Sequence, residues 1–179
     1  PTPTPVVIVK EVIKEVIVYI EVTPTPVPTP TPTPTATPNG FSVYFLDVGQ
    51  GDATLIMTDS GHSLLIDAGR SKSRIEDRLR RWNIEDLDAI AMTHPDADHI
   101  AGLIKVLEMY EIERIYLNGG RTNSKTYASF MEAVEKEGAE VVTVSRGDTL
   151  HIGELQLKVL HPGELTNDSN IDSMSLLVS

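Results

Sequence analysis

From Phe41 onward the apolar positions fall into short runs of two periods. The runs FSVYFLD (41–47), ATLIMT (53–58), HSLLID (62–67), LDAIAMT (87–93), RIYLN (114–118), EVVTVS (140–145), LQLKVLH (155–161) and MSLLV (174–178) read as strands, each bounded by glycine, proline or Asn/Asp turns. Helical spacing occupies 73–82, opened by a Ser73/Glu76 capping box, then 99–110 and 124–137. Three strands without helices, followed by helices alternating with strands, predict a layered α/β domain with a mixed sheet. No GxGxxG is present, so the order is not that of a plain dinucleotide-binding array.

Ahead of this region the pattern changes. Ten of the twelve prolines fall within the first 38 residues and all twelve glycines lie at or after Gly40, which places a boundary near Asn39. The stretch 24–38 alternates proline mostly with threonine, whose fixed φ and missing amide donors give an extended, solvated spacer. Residues 1–39 are therefore expected to form a Pro/Thr-rich stalk, and 40–179 the globular domain. Stalks of this composition favour an extracytoplasmic setting, secreted or anchored at the cell surface. Within the stalk, Val6, Val9, Ile13, Val16 and Ile20 recur at three-four spacing. That spacing predicts a short heptad seam over 6–22, through which the chain could self-associate, although its β-branched residues also suit a strand.

Composition narrows the function. The net charge is -11, so the mean field repels phosphates and sequence-blind nucleic-acid binding would need a local basic patch. With no cysteine there is no disulfide framework, thiolate metal site or thiol nucleophile. No apolar run reaches the roughly eighteen residues that span a bilayer; the most apolar, 6–22, is interrupted by Lys10, Glu11, Lys14, Glu15 and Glu21.

Five apolar runs end in a ligand-type side chain followed within two residues by glycine or proline: Asp47, Asp67, His94, Asn118 and His161. Such strand ends lie at the rim of a sheet, where open α/β sheets place their sites. The densest group is Thr93-His94-Pro95-Asp96-Ala97-Asp98-His99, with four potential ligands in six positions. Pro95 keeps His94 extended, so His94 and Asp96 point the same way, while Asp98 and His99 lead into a helix. One loop then offers two clusters of ligands, as a dinuclear hydrolytic centre requires. Without a cation these side chains would repel one another or stay unsatisfied.

This segment resembles the metallo-β-lactamase superfamily, whose signature is His-x-His-x-Asp-His after a strand. The chain departs from it at the second histidine, reading His94-x-Asp96-x-Asp98-His99. Together with Asp47-Val48-Gly49-Gln50-Gly51-Asp52 and the later LLIDAG, the variant is similar to the branch that contains the soluble domain of ComEC-type DNA-internalisation competence proteins. The resemblance implies an αββα sandwich, of which 40–179 would be mostly the N-terminal half. It assigns His94 and Asp96 to a first metal, and Asp98 and His99 to a second. Asp98 would also orient a metal-bound hydroxide, so His94 and Asp98 are the expected catalytic pair. Asp47, Gln50, Asp52 and Asp67 would line the rim as further ligands or their supports, and His161 is a candidate at its own strand end. Carboxylate in place of imidazole at Asp96 makes the site harder, moving preference from zinc toward manganese or magnesium with zinc still admissible.

Arg70, Lys72, Arg74, Arg78, Arg80 and Arg81 gather six of the fifteen basic residues just after LLIDAG. Arg74 and Arg78 are the expected substrate-steering residues, unless the cluster is a solvated face paired with Glu76 and Asp77. The resulting expectation is a metal-dependent hydrolase using two divalent ions and acting on phosphodiesters, a nuclease or phosphodiesterase linked to DNA uptake. Its alternatives are hydrolysis of another ester or amide, such as a phosphorylcholine ester or lactam, and a non-catalytic surface binding module. The run ending at Ser179 reads as a core strand, so the C-terminal part of the sandwich is expected to be missing, and 1–179 to bind metal weakly and show little or no turnover. Asn170 and Ser175 are expected to approach the site without completing it.

Overall fold

The computed structural model describes residues 11–13, 16–18 and 40–178. The chain divides into two units, Pro1–Thr35 and Ala36–Ser179. In the first, β1 (Glu11–Ile13) pairs antiparallel with β2 (Val16–Val18), Val12 opposite Ile17. Those positions therefore take the strand alternative open to β-branched residues rather than the helical seam. The rest of the 6–22 segment, the Pro/Thr spacer and the expected self-association lie outside the described residues. No helix among the described residues is long and apolar enough to cross a membrane.

In the second unit a six-stranded mixed sheet has the order β3 (Phe41–Phe45), β4 (Thr54–Thr58), β5 (Ser63–Ile66), β6 (Ala89–Met92), β7 (Arg114–Leu117), β8 (Glu140–Thr143). The β3, β4 and β5 strands are antiparallel neighbours, and β5 through β8 are parallel. The parallel half follows from the helices between its strands: α1 (Ile75–Arg81), α2 (Ala97–Leu107) and α3 (Lys125–Glu137), each carrying the chain back across one face. A second sheet holds β9 (Thr149–Ile152), β10 (Leu155–His161) and β11 (Ser175–Val178), all antiparallel, with β10 in the middle.

Two cores follow from the two faces of the large sheet. Leu65, Ile90, Met92 and Ile115 point toward Leu79, Ile100, Leu103 and Phe130 of the helices. Ile56, Leu64, Ala89, Ala91 and Tyr116 pack against Leu150, Leu157 and Val159 of the small sheet. Every residue of β6 is buried, which is why that strand reads as unbroken apolar sequence. In β10 burial alternates strictly from Leu155 to Leu160, because only one face of the small sheet meets the large one. The layers are helix, sheet, sheet, the order that an αββα sandwich begins with.

Several local expectations change. Strand β9 is absent from the sequence reading because TLHI is short and half polar. The helix expected over 99–110 starts two residues earlier, at Ala97, and ends at Leu107. The Ser73/Glu76 capping box does not form. Arg74 occupies the cap with φ 53°, in the left-handed region, and no side chain caps the helix. The Ser73 hydroxyl instead donates to Ala68 O at 2.8 Å, tying the start of α1 to the rim loop. In α3 Ser124 does accept from Tyr127 N at 3.1 Å, and Gly138 closes the helix at φ 75°.

Candidate metal centre

Asp67, His94 and Asn118 leave the C-terminal ends of the adjacent parallel strands β5, β6 and β7. Asp67 continues the sheet ladder, donating its N–H to Ala91 O at 2.9 Å, and then turns with φ 54°. Aspartate tolerates that left-handed conformation, and the turn brings its carboxylate across to the end of β6. There Asp67 Oδ1 accepts from Thr93 N at 2.9 Å, and Oδ2 from the Thr93 hydroxyl at 2.5 Å and His99 Nδ1 at 2.8 Å.

These bonds determine the imidazole tautomers. The Thr93 hydroxyl gives its hydrogen to Asp67, so its oxygen is left to accept from His94 Nδ1, 3.0 Å away. His94 Nε2 therefore carries a free lone pair. It is buried, has no hydrogen-bond partner and lies 3.7 Å from Asp96 Oδ2. His99 donates from Nδ1 to Asp67, which leaves its own Nε2 available. The two rings lie with centroids 3.9 Å apart, and ligand atoms of Asp67, His94 and His99 fall within 4.8 Å of one another. An orphaned, buried imidazole nitrogen beside carboxylates is what a divalent cation would satisfy, so these residues fit one. Asp67, bonded through both oxygens, is the group that orients the two histidines.

The electrostatics agree. Burial, reinforced by the neighbouring His99, holds the His94 pKa below its ordinary value against the pull of Asp67, Asp96 and Asp98. His94 is thus neutral, as a ligand must be. Burial would also lower His99, but the Asp67 hydrogen bond and the charges of Asp67, Asp98 and Asp52 outweigh it and raise the pKa.

The remaining expected residues are distributed around this triad. Asp96 caps α2 without a side-chain cap bond, and its Oδ1 accepts from Ser169 Oγ at 2.7 Å. Asp98 stands in the first turn of α2, where Gln50 Nε2 donates to its Oδ2 at 3.1 Å. Burial would raise the Asp98 pKa, but hydrogen bonds, including that from Gln50, and the charges of His99 and Arg70 keep it low. Gln50 in turn accepts from Arg70 at 2.7 Å. The turn carrying Gln50 is held tightly against α2: a β-carbon at Gly51, whose φ is +93°, would overlap the Asp98 carbonyl. Gly102 plays the same part between α2 and the rim, since a β-carbon there would overlap Ala68 O. Asp52 accepts from Gly69 N through its backbone at 3.0 Å and adds its charge near His99.

The other expected residues have contacts of their own. Asp47 is exposed, accepts from Gly49 N at 3.2 Å and lies 3.8 Å from Arg78. His161 turns its Nδ1 to Ser173 O at 3.1 Å. Arg74 pairs with Asp77. Asn170 bonds within its own turn, its N–H donating to Asp168 Oδ1 at 3.1 Å, and it is the neighbouring Ser169 that reaches Asp96. Ser175 opens β11 with an exposed side chain. The Thr93 link, the Ser169 bond to Asp96 and the pairing of Gln50 with Arg70 are contacts around the triad that sequence reasoning missed. Thr93 stood next to His94 in the sequence, but nothing in its spacing showed that it would link that histidine to Asp67.

The metallo-beta-lactamase superfamily model matches residues 46–172, and the chain belongs to that superfamily. It is 27% identical over 155 residues to ComE operon protein 3 of Bacillus subtilis (strain 168), a match covering 76% of this chain and 20% of that protein. It is 31% identical over 108 residues to Ribonuclease Z of Methanopyrus kandleri, covering 59% of this chain and 37% of that one. Exodeoxyribonuclease WalJ of Streptococcus pneumoniae is 27% identical over 121 residues, with 66% and 44% covered. The chain thus spans less than half the length of each of these curated relatives. Among solved structures, MEM-A1, a subclass B3 metallo-beta-lactamase from a soil metagenome library, aligns with a TM-score of 0.56 at 19% identity over 79% of this chain and 55% of that chain. A metallo-beta-lactamase from Staphylococcus aureus subsp. aureus COL aligns at 0.52 with 22% identity over 79% and 38%. These likenesses show the fold.

Proposed function

We propose that the globular unit is a metal-dependent hydrolase of phosphodiesters, a nuclease or phosphodiesterase. The observation that carries the metal reading is the unpartnered, buried Nε2 of His94 beside Asp96, within a histidine pair oriented by Asp67. Two relatives bear the names Ribonuclease Z and Exodeoxyribonuclease WalJ, which supports a phosphodiester over a lactam.

His94, Asp96, Asp98 and His99 would hold two divalent ions, manganese or zinc with magnesium also admissible, and Asp67 would position both imidazoles. Bound ions supply charge for the phosphoryl oxygens and lower the pKa of a water. The chain's own groups do the rest. The Asp98 carboxylate, kept ionised and fixed by Gln50, can take a hydrogen bond from that water and orient it. Arg70, held by Gln50 at the rim, offers positive charge beside the site in a protein of net charge -11. Arg74 and Arg78 add to the field from α1 as steering groups. Extracytoplasmic placement and a link to DNA uptake belong to the same proposal, supported by the Pro/Thr composition of 24–38 and by the resemblance of 47–52 and 94–99 to the competence-protein branch.

The experiment is to assay the manganese- or zinc-loaded chain against bis-p-nitrophenyl phosphate, single- and double-stranded DNA, and nitrocefin. Phosphodiester hydrolysis that disappears in His94→Ala is expected. Turnover of nitrocefin alone would overturn the proposal.

A further inference from the structure

Beside the ligand loop lies a cavity of about 250 Å³, walled by Pro95, Gly120, Arg121, Asn167, Ser169 and Asp172 among others. We propose that this cavity is a subsite for a phosphate-bearing nucleotide unit next to the scissile bond, with Arg121 as its cation, an inference that rests on the phosphodiester reading.

Position is the first support. Pro95 stands between His94 and Asp96 in the chain, and Ser169, on another wall, donates to Asp96 Oδ1 at 2.7 Å. A group seated in the cavity therefore adjoins the candidate ligand loop. Size is the second, because about 250 Å³ falls just below the usual range for drug-sized ligands and suits one small polar unit rather than a duplex.

Charge is the third. The protein carries -11, and several of its basic side chains are held by carboxylates: Arg74 by Asp77, Lys105 by Glu108, Arg114 by Glu140. Arg121 is exposed and enters no ion pair or side-chain hydrogen bond among the described residues. The acid that shares the cavity, Asp172, is buried and fully occupied. Its carboxylate accepts from Thr166 N and Oγ1 and from Asn167 N, at 2.8 to 3.0 Å. Those donors satisfy its oxygens, and no ion pair joins it to Arg121 among the described residues.

The wall is also braced before any ligand arrives. Asn118, at the end of β7, donates from Nδ2 to Asp172 O at 2.9 Å and accepts from Gly120 N at 3.0 Å. This ties the turn bearing Arg121 to the loop of 166–172. A β-carbon at Gly120 would press on Asn118 and on Pro95, the residue between two of the ligands. Preorganisation of this kind lowers the cost of ordering a cation around an anion.

The test uses the full chain and 2′-deoxyadenosine 5′-monophosphate, with deoxyadenosine and inorganic phosphate as separate arms. Amide NMR shifts at Gly119, Gly120 and Arg121 and calorimetric affinities are read for the parent, Arg121→Ala, Arg121→Lys and His94→Ala. The nucleotide should perturb those amides in the parent and in His94→Ala. It should bind about tenfold more weakly or worse in Arg121→Ala, with partial retention in Arg121→Lys. Phosphate alone binding as well as the nucleotide would reduce the site to an anion pocket and overturn the nucleotide assignment. Equal affinity in Arg121→Ala, or no shift at these amides, would overturn the subsite itself. Failure of the phosphodiester reading is separate, since it would appear as absent bis-p-nitrophenyl phosphate hydrolysis whatever the binding result.

Discussion

Asp67 Oδ2 and His99 Nδ1 lie 2.8 Å apart, and the same oxygen accepts the Thr93 hydroxyl that meets His94 Nδ1. One buried carboxylate thus directs both imidazoles, and His94 Nε2 is left buried without a hydrogen-bond partner. Asp67→Asn keeps the volume but removes an acceptor oxygen. Metal affinity should fall by at least about tenfold. Equilibrium dialysis with elemental analysis, alongside thermal shifts with Mn²⁺ and Zn²⁺, checks this. An undiminished metal-induced rise in Tm would show that the histidines are oriented by something else.

The two glycines flanking Gln50 should differ in what they tolerate. At Gly49 an added β-carbon meets nothing within 4 Å and only the left-handed φ of 76° opposes it, a cost of about 1 kcal/mol. At Gly51 the φ of 93° is joined by overlap with the Asp98 carbonyl, adding about 1–3 kcal/mol. Urea unfolding of Gly49→Ala and Gly51→Ala should therefore rank Gly51→Ala as clearly less stable, and only Gly51→Ala should also weaken metal binding by shifting Asp98.

Steering should follow position rather than mere sequence clustering. Arg70 donates to Gln50 at the rim, whereas Arg74 is held by Asp77. Steady-state kinetics on single-stranded DNA should show a several-fold rise in KM for Arg70→Ala and a smaller one for Arg74→Ala, both fading at high salt. Equal effects that persist at high salt would argue for a packing role instead.

Away from the site, His62 Nδ1 bonds Asp88 Oδ1 at 2.9 Å. That bond lifts the His62 pKa against the opposing effect of burial. Burial alone would raise Asp88, but the bonds from His62 and Ser63 hold it below its ordinary value. A raised histidine stabilises fully below its unfolded value of about 6.5 and loses that contribution as pH climbs through the folded value. Above the carboxylate range, where Asp88 stays ionised, the stability gap between the parent and His62→Gln should therefore be widest on the acid side and shrink toward alkaline pH. Denaturant titrations across that interval read the slope, and a gap that widens with pH would contradict the pairing.

Much of this molecule is legible in one dimension. The order of strands and helices and the mixed character of the sheet follow from apolar runs whose length and spacing record which faces are buried. The candidate ligand loop 93–99 is visible because its chemistry is compressed into consecutive residues, although 93–95 bend where Pro95 led to the expectation of an extended start. Contacts between distant segments could not be read in this way. Asp67 reaches Thr93 and His99, Ser169 reaches Asp96, and Gln50 joins Arg70 to Asp98 across 20 to 73 residues of chain. Such pairings depend on strand register and on how close two backbones approach at Gly51 and Gly102. The same holds for the failed capping box: the local signal at Ser73 is sound, but its hydroxyl bonds Ala68 O, the tertiary partner that packing supplies. Spacing in the sequence therefore determined which candidate ligands exist, while the tertiary structure decided which groups aim them, because side-chain orientation is set by neighbours that only folding brings together.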